Sequence, residues 1–250
     1  MEEQPLPGNV AGAVRVGDTV RRPGGPSSVG VDSLLRHLER RGFEGSPRSL
    51  GFDERGRHVL EWIDGETLTV TANGAAATCS RVGELIRGFH DAVADFRPPA
   101  GTTWNVVIPP DRQDLVVHHD LAPWNLVCGP GRWVFIDWDN AGLGSRLWDL
   151  SYAAHGFIPL RHEIDPKEAG RLLSVLADNY GLEQADRQRL AGLLVRRIVS
   201  MYDLLAEGHR SGKEPWSRLW DEGHGDMWAA DAAFAQSNLA VITQPMLDGG

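Results

Sequence analysis

The stretch that decides the fold is a short polar segment in mid-chain, followed closely by a second one. The first reads His118-His119-Asp120-Leu121-Ala122-Pro123-Trp124-Asn125, and the second reads Phe135-Ile136-Asp137-Trp138-Asp139. Pro123 prevents the first segment from continuing as a regular helix, and apolar runs on both sides predict short strands. A tight hairpin at 129–131 then returns the chain. We therefore expect Asp120, Asn125 and Asp137 to converge on one small volume.

These three side chains are hard oxygen donors. Two carboxylates and an amide oxygen suit Mg²⁺ when phosphate oxygens complete its coordination shell. One carboxylate is left to take a proton from a hydroxyl nucleophile. An Asp and an Asn in one loop, with a metal-binding Asp soon after, are the parts used in kinase-type phosphoryl transfer. The segment thus predicts a site for phosphoryl transfer.

Hydrophobic periodicity on either side predicts two lobes of different character. The first 62 residues predict a small sheet with one helix: strands within 13–23, at 50–52 and at 58–63, and a helix over 31–41. The later part predicts a helix over 81–96, strands at 115–117, 125–128 and 133–136, and helices over 146–157, 166–180, 184–209 and 214–240. Asp64-Gly65-Glu66 interrupts the pattern, so we predict lobes at 1–63 and 64–250.

Residues 118–139 contain both polar segments and are called the catalytic segment below. They resemble the HxDxxxxN motif and the later metal aspartate of the aminoglycoside phosphotransferase family. The leading sheet-and-helix lobe, the break near residue 64 and the helical tail also resemble that family. The resemblance implies an α+β, protein-kinase-like fold with a small N-terminal lobe and a larger, mainly helical C-terminal lobe. It implies that ATP and Mg²⁺ bind between the lobes and that the γ-phosphoryl group passes to a hydroxyl of a small-molecule acceptor.

The resemblance also implies roles for individual residues of the catalytic segment. Asp120 would orient and deprotonate the acceptor hydroxyl, and Asn125 and Asp137 would bind Mg²⁺. His118 would brace the loop without taking part in the chemistry. The residue before the motif asparagine is usually small in the family and is Trp124 here. That ring either shapes the acceptor pocket or packs against the second lobe.

The nucleotide side departs from the family pattern. By resemblance, the backbone of Glu61 to Ile63 would form the hinge that reads adenine, and the loop Gly8–Gly12 would cover the phosphates. The family usually carries, in the first lobe, a lysine that binds the nucleotide phosphates. This chain has two lysines, and neither precedes residue 167. Arg21, with Arg22 as the alternative, would replace it, and arginine is not a neutral substitute for lysine.

The helix over 31–41 should supply an acidic partner for that arginine. Glu39 lies late in this helix, which leaves Asp32 as the substitute.

Composition narrows the class of partner. The chain of 250 residues carries 25 basic and 34 acidic residues, a formal net charge of −9, which disfavours nucleic-acid binding. The acidic excess lies after residue 62 and favours a cationic acceptor such as an aminoglycoside. No run approaches the roughly 18 apolar residues of a membrane span, and the N-terminus lacks the pattern of a secretion signal. We expect a cytoplasmic protein and leave its oligomeric state open.

Three other interpretations stay open. The missing lysine allows a non-catalytic nucleotide-binding or immunity-like protein on the same fold. The same chemistry could also serve a kinase that acts on a peptide hydroxyl. The His119-Asp120 pair allows a metal phosphohydrolase, although such enzymes gather their ligands from helices and this pair precedes a strand hairpin.

Overall fold

The computed structural model describes residues 3–6, 12–71 and 74–249. An antiparallel N-terminal sheet is followed by a larger helical part, as the sequence predicts. The strands are β1 (Gln4–Pro5), β2 (Val14–Val16), β3 (Thr19–Arg22), β4 (Ser49–Phe52), β5 (His58–Glu61), β6 (Glu66–Thr67), β7 (Leu115–Val117), β8 (Leu126–Cys128), β9 (Trp133–Phe135) and β10 (Gly142–Gly144). The helices are α1 (Ser28–Arg40), α2 (Ala75–Ala92), α3 (Arg146–Phe157), α4 (Pro166–Tyr180), α5 (Gln184–Ser211), α6 (Trp216–Asp221) and α7 (His224–Asp248).

The N-terminal sheet has the strand order β1-β2-β3-β5-β4, and the strands that pair are antiparallel. β3 lies at its centre, paired with β2 on one side and with β5 on the other. The register places Arg21 opposite Val59 and Arg22 opposite His58. Pairing on both edges fixes the backbone of β3, so the directions of its two arginine side chains are set by the strand itself.

Helix α1 follows the first three strands of this sheet and buries one apolar face. Val31, Leu34, Leu35 and Leu38 are buried at the i, i+3, i+4, i+7 spacing of one helix face. The helix begins at Ser28, three residues before the predicted start. It ends where Gly42 takes a positive φ of 72° and lets the Phe43 N–H donate to the Leu38 carbonyl, a Schellman ending that glycine favours.

Two further small sheets are formed by β6 and by the strands that precede, separate and follow the two polar segments. One has the order β6-β8-β9, and the other pairs β10 with β7. Ile63, Val127 and Val134 form a buried apolar cluster, and Ile136 packs against it. The Phe135 N–H also donates to the Gly45 carbonyl at 2.9 Å. These contacts hold the hairpin that ends in the second polar segment.

The helical part confirms several predicted bounds. α3 and α4 occupy residues 146–157 and 166–180, as predicted, and α5 runs two residues past the predicted end. α5 packs against α3, α6 and α7, and α4 packs against α7.

Two of the predicted helices were placed wrongly. α2 spans 75–92 and not 81–96, because the small residues at its start carry no apolar periodicity and its predicted end is a tight turn in which the Phe96 N–H reaches the Val93 carbonyl. The stretch predicted as one helix over 214–240 is two helices, because Gly223 takes a positive φ of 91° between them.

The chain divides into two compact units. The first comprises residues 1–69, 88–107 and 113–143, and the second comprises 70–87, 108–112 and 144–250, both within the described residues. The catalytic segment therefore shares a unit with the N-terminal sheet. The functional boundary at residue 63 stays a prediction. Among the described residues, no helix has the length and apolar content needed to span a membrane.

Candidate active site

The catalytic loop begins where the buried strand β7 ends. His118 continues into the interior and is fully buried. His119 then takes a left-handed backbone conformation with φ 68°, which is rare outside glycine and turns the chain sharply. Its Nε2 lies 3.1 Å from the Leu143 carbonyl oxygen. The reversal delivers Asp120 from a buried strand to a half-buried position.

His118 braces this loop. The Asp120 backbone N–H donates to its Nδ1 at 3.3 Å, and its Nε2 lies 3.1 Å from the Ile136 carbonyl oxygen. A carbonyl only accepts, so Nε2 is the donor in this contact. The ring also packs against Trp138 with a centroid distance of 4.5 Å. His118 thus ties Asp120 to the chain immediately before Asp137.

Asp120 and Asn125 are brought together by a single turn. Pro123 opens a 3₁₀ turn, and the Asn125 N–H donates to the Ala122 carbonyl at 3.0 Å. Asn125 Nδ2 then donates to Asp120 Oδ2 at 2.9 Å and to the Asp120 carbonyl at 3.0 Å. Because the amide nitrogen faces Asp120, the amide oxygen faces the other way and can serve a cation.

Asp137 reaches the same region through the β8–β9 hairpin. Leu126 pairs with Phe135 in that hairpin, and the Ile136 N–H donates to the Asn125 carbonyl at 2.8 Å. Asp137 then takes a left-handed conformation with φ 62°. Within the described residues, His119 and Asp137 are the two non-glycine residues with positive φ. Unusual backbone geometry of this kind concentrates at functional sites.

Arg22 meets two carboxylates of the second segment. Its Nη2 lies 2.9 Å from Asp137 Oδ1 and 2.6 Å from Asp139 Oδ2, with 12% of the side chain exposed. Burial disfavours the charge, but the two ion pairs outweigh it and raise the pKa of Arg22. Burial raises the pKa of Asp139 and outweighs the attraction of Arg22, which lowers it. The side chain of Asp139 is nevertheless 43% exposed. Arg22 therefore keeps its positive charge beside these two carboxylates.

The structure does not bring Arg21, the preferred replacement of the lysine, to Asp137 or Asp139. Neighbouring side chains on a strand point to opposite faces, and Arg21 Nη1 donates to Asp53 Oδ2 at 3.1 Å. The same carboxylate accepts from Arg57 Nε at 2.8 Å and from the backbone N–H groups of Arg55 and Arg57. Desolvation works against these bonds, yet they lower the pKa of Asp53 to about 2. The side chain of Arg21 thus contacts the turn between β4 and β5, whereas the side chain of Arg22 contacts Asp137 and Asp139.

Asp32 does not pair with either arginine of β3. Its Oδ1 accepts from Arg36 Nε at 2.9 Å and from Ser49 Oγ at 2.5 Å. Since the hydroxyl hydrogen of Ser49 goes to Asp32, Ser49 accepts from His58 Nε2 at 2.9 Å. Burial lowers the pKa of His58 to about 4, helped by Arg22 and Arg36 and opposed by Asp32. The sequence analysis missed this buried polar cluster, since its members lie far apart in the chain.

The predicted hinge residues have their side chains engaged in structure. The Glu61 carboxylate accepts from Arg132 Nη2 at 2.5 Å, and Ile63 packs against the β8–β9 hairpin. The backbone role of Glu61 to Ile63 in reading adenine stays a prediction. Of the predicted phosphate loop Gly8–Gly12, residues 8–11 lie outside the described residues.

The donor set fits a magnesium ion shared with a nucleotide. No group of three His, Cys, Asp or Glu side chains in the described part of the chain could hold a metal by itself. A kinase-type site needs none, because Mg²⁺ is bound by one or two carboxylates together with phosphate oxygens. Asp137 and Asp139 already converge on one cation, the Arg22 guanidinium, and Asn125 turns its oxygen away from Asp120.

Trp124 lies between Asp120 and Asn125 and faces solvent. Its exposed fraction is 53%, whereas the other eight tryptophans are buried or half-buried. The sequence left its role open, and the structure shows that the ring is not packed in the core.

Comparison with known proteins places the chain in a family. The model of APH, the phosphotransferase enzyme family, matches residues 104–193, which contain both polar segments. The trifolitoxin immunity protein of Rhizobium leguminosarum bv. trifolii is 34% identical over 233 residues, covering 82% of this chain and 85% of that protein. The chain belongs to the phosphotransferase enzyme family. The resemblance inferred from the two segments is thereby confirmed.

Solved structures of several small-molecule kinases share the fold of this phosphotransferase-family chain. A choline/ethanolamine kinase family protein from Mesorhizobium loti superposes with a TM-score of 0.63 at 19% identity, over 98% of this chain and 93% of that one. Amicoumacin kinase hAmiN, solved with AMP-PNP, Ca²⁺ and Ami, gives a TM-score of 0.65 at 13% identity, over 97% and 88%. A microcompartment-associated aminopropanol kinase gives 0.57 at 17% identity, over 94% and 90%. The protein-kinase-like fold predicted from the sequence is confirmed.

Proposed function

We propose that this chain transfers the γ-phosphoryl group of ATP to a hydroxyl of a small molecule. The observation that carries the proposal is the assembly of a half-buried carboxylate and a cation-binding donor set on one hairpin. Asp120 and Asn125 are joined by a side-chain hydrogen bond of 2.9 Å, and the Ile136 N–H, one residue before Asp137, donates to the Asn125 carbonyl at 2.8 Å. A hydroxyl acceptor needs a base and a phosphate donor needs a cation, and this arrangement supplies both.

Asp120 would receive the proton of the acceptor hydroxyl. Its Oδ2 is held by Asn125, and its backbone N–H is held by His118, so the carboxylate has a defined direction before the acceptor arrives. Such positioning supplies much of the catalysis in phosphoryl transfer, because the protein does little covalent chemistry itself.

The nucleotide would lie against the hinge and the second polar segment. The backbone of Glu61 to Ile63 would read adenine, and Arg22 would contact the phosphates. Held by Asn125 and Asp137, Mg²⁺ would neutralise negative charge on the phosphate oxygens. The amicoumacin kinase of the same fold, solved with AMP-PNP and Ca²⁺, supports a nucleotide and a divalent cation as partners. We propose the cytoplasm as the place of action, because a kinase needs a supply of ATP.

The acceptor is proposed to be a cationic amino alcohol or amino sugar. Trp124, four residues after Asp120 in the chain, offers an exposed aromatic ring, and cations bind favourably over such rings. The net charge of −9 adds a weak general attraction for cations. The names of two structural neighbours, a choline/ethanolamine kinase family protein and an aminopropanol kinase, support the same class of acceptor.

Calorimetry tests the proposal most directly. ATP is titrated into wild-type protein with and without Mg²⁺, and ATP turnover is then measured with a panel of amino alcohols and aminoglycosides. We expect Mg²⁺ to tighten ATP binding and at least one acceptor to raise turnover. Absence of ATP binding under both conditions would overturn the proposal.

A second candidate is immunity without phosphoryl transfer, in which the chain binds a nucleotide or a toxin and performs no chemistry. The trifolitoxin immunity protein, 34% identical over most of both chains, favours it. Asp120→Asn separates the two candidates when resistance to trifolitoxin is measured in cells that produce either wild type or the variant. Resistance that survives the substitution supports the non-catalytic role, and resistance that disappears with intact nucleotide binding supports the transferase.

A further inference from the structure

The guanidinium of Arg22 contacts the carboxylate of Asp137, which is a ligand of the proposed metal. Both of its ion pairs, at 2.9 and 2.6 Å, go to the carboxylates of Asp137 and Asp139. Two carboxylates this close repel each other unless a cation lies between them. In the absence of nucleotide, Arg22 supplies that cation. A metal ion would have to displace it to reach Asp137.

The guanidinium has donors left for a second partner. Both ion pairs use Nη2, and the buried Nε of Arg22 has no acceptor among the described residues. The Nε of Arg21 shares this property, but its guanidinium is held by the turn at Asp53. Arginine presents a planar fork that matches phosphate oxygens as well as carboxylates. Arg22 can therefore exchange one anion for another.

The backbone of β3 stays fixed while such an exchange takes place. Arg22 is paired with His58 across the sheet, so the side chain alone would move. Nucleotide phosphates carry more negative charge than two carboxylates and bind a guanidinium through strong charge-assisted bonds. A divalent cation that arrives with the phosphates would take over the neutralisation of Asp137 and Asp139.

We propose that Arg22 closes the metal site until a nucleotide arrives. Without nucleotide, Arg22 binds Asp137 and Asp139 and competes with free metal. With nucleotide, Arg22 moves to the phosphates and releases the carboxylates to Mg²⁺. This inference rests on the proposed function, and it adds an order to the binding: metal enters with the nucleotide and not before it.

Metal titration without nucleotide tests the competition. Mn²⁺ serves as the probe, and its binding is measured by calorimetry on wild type, Arg22→Met and the matched control Arg21→Met. We expect Arg22→Met to bind free Mn²⁺ about tenfold more tightly, equivalent to about 1.4 kcal/mol. Arg21→Met should bind it as wild type does. Arg22→Gln replaces the Met variant if circular dichroism shows that the latter is unfolded.

Repeating the titration with AMP-PNP separates this inference from the proposed function. AMP-PNP should tighten Mn²⁺ binding to wild type. Wild type should then bind Mn²⁺ as tightly as Arg22→Met does. Equal binding of free Mn²⁺ by wild type and Arg22→Met would overturn the competition, even if AMP-PNP tightens both. Failure of every variant to bind Mn²⁺ with or without AMP-PNP would overturn the metal site and the proposed function with it.

Discussion

The catalytic segment and the N-terminal sheet contribute to one site in different ways. In residues 118–139, a side-chain hydrogen bond joins Asn125 to Asp120, and the Ile136 N–H ties the chain before Asp137 to the Asn125 carbonyl. In the sheet, the resemblance predicts an arginine in place of the family's lysine, and Asp32 is engaged by Ser49 and Arg36. The comparison teaches that proton transfer needs a fixed local geometry, whereas phosphate binding needs a positive charge that faces the right way.

The sharpest test of the catalytic segment is Asp120→Asn. The substitution keeps an acceptor for Asn125 Nδ2 but removes the base, so we expect the turnover number to fall about 10³-fold. ATP affinity should stay within about twofold of wild type, as measured by calorimetry. Asp114→Asn, at an exposed carboxylate just before β7, is the matched control. A variant that keeps wild-type turnover would show that Asp120 is not the base.

Asp137→Asn tests the metal side of the same segment. Asparagine tolerates the left-handed backbone of this position, so the change removes charge with little strain. We expect the Mg²⁺-dependent tightening of ATP binding to fall about 10- to 100-fold, because the carboxylate would be lost as a ligand. Calorimetry with and without Mg²⁺ gives the result. The same Mg²⁺ dependence in both proteins would count against Asp137 as a ligand.

The two arginines of β3 test the sheet. Arg22→Met should weaken ATP binding about tenfold, because a charge-assisted contact to the phosphates is lost. Arg21→Met should leave ATP binding unchanged and lower the free energy of unfolding by about 1 kcal/mol, because Asp53 loses one of its donors. Calorimetry and denaturant unfolding measure the two effects. The reverse pattern would reassign the phosphate contact to Arg21.

The stability of the sheet depends on pH through His58. Its pKa is about 4 in the folded protein and near 6.5 when unfolded, so the unfolded chain takes up the proton first. The stabilisation is complete above pH 6.5 and is lost as the pH falls towards 4. His58→Gln keeps a nitrogen donor for Ser49 and should remove this component. Between pH 7.5 and 5, we expect the variant to lose about 2 kcal/mol less than wild type, as measured by denaturant unfolding; an equal loss would contradict the assignment.

Local patterns predicted much of the fold and the catalytic loop. α3 and α4 have clear periodicity and end signals, and the motif places Asp120 and Asn125 one turn apart. The first turns of α2 were missed because alanine and serine carry no apolar signal. Arg22 could have been found from strand alternation, since it shares a face of β3 with the apolar Val20. The contacts of Ser49 with Asp32 and His58 depend on sheet pairing that no local pattern encodes.

The backbone of Asp137 has a consequence for how this family diversifies. A left-handed residue accepts glycine, asparagine or aspartate readily and disfavours larger or branched side chains. Replacing one carboxylate oxygen of Asp137 by an amide nitrogen is therefore expected to leave the hairpin intact and to weaken the proposed metal site. A lineage can lose its chemistry in one small step and keep its folded surface for another task. An immunity protein and an enzyme can thus be near neighbours in sequence space.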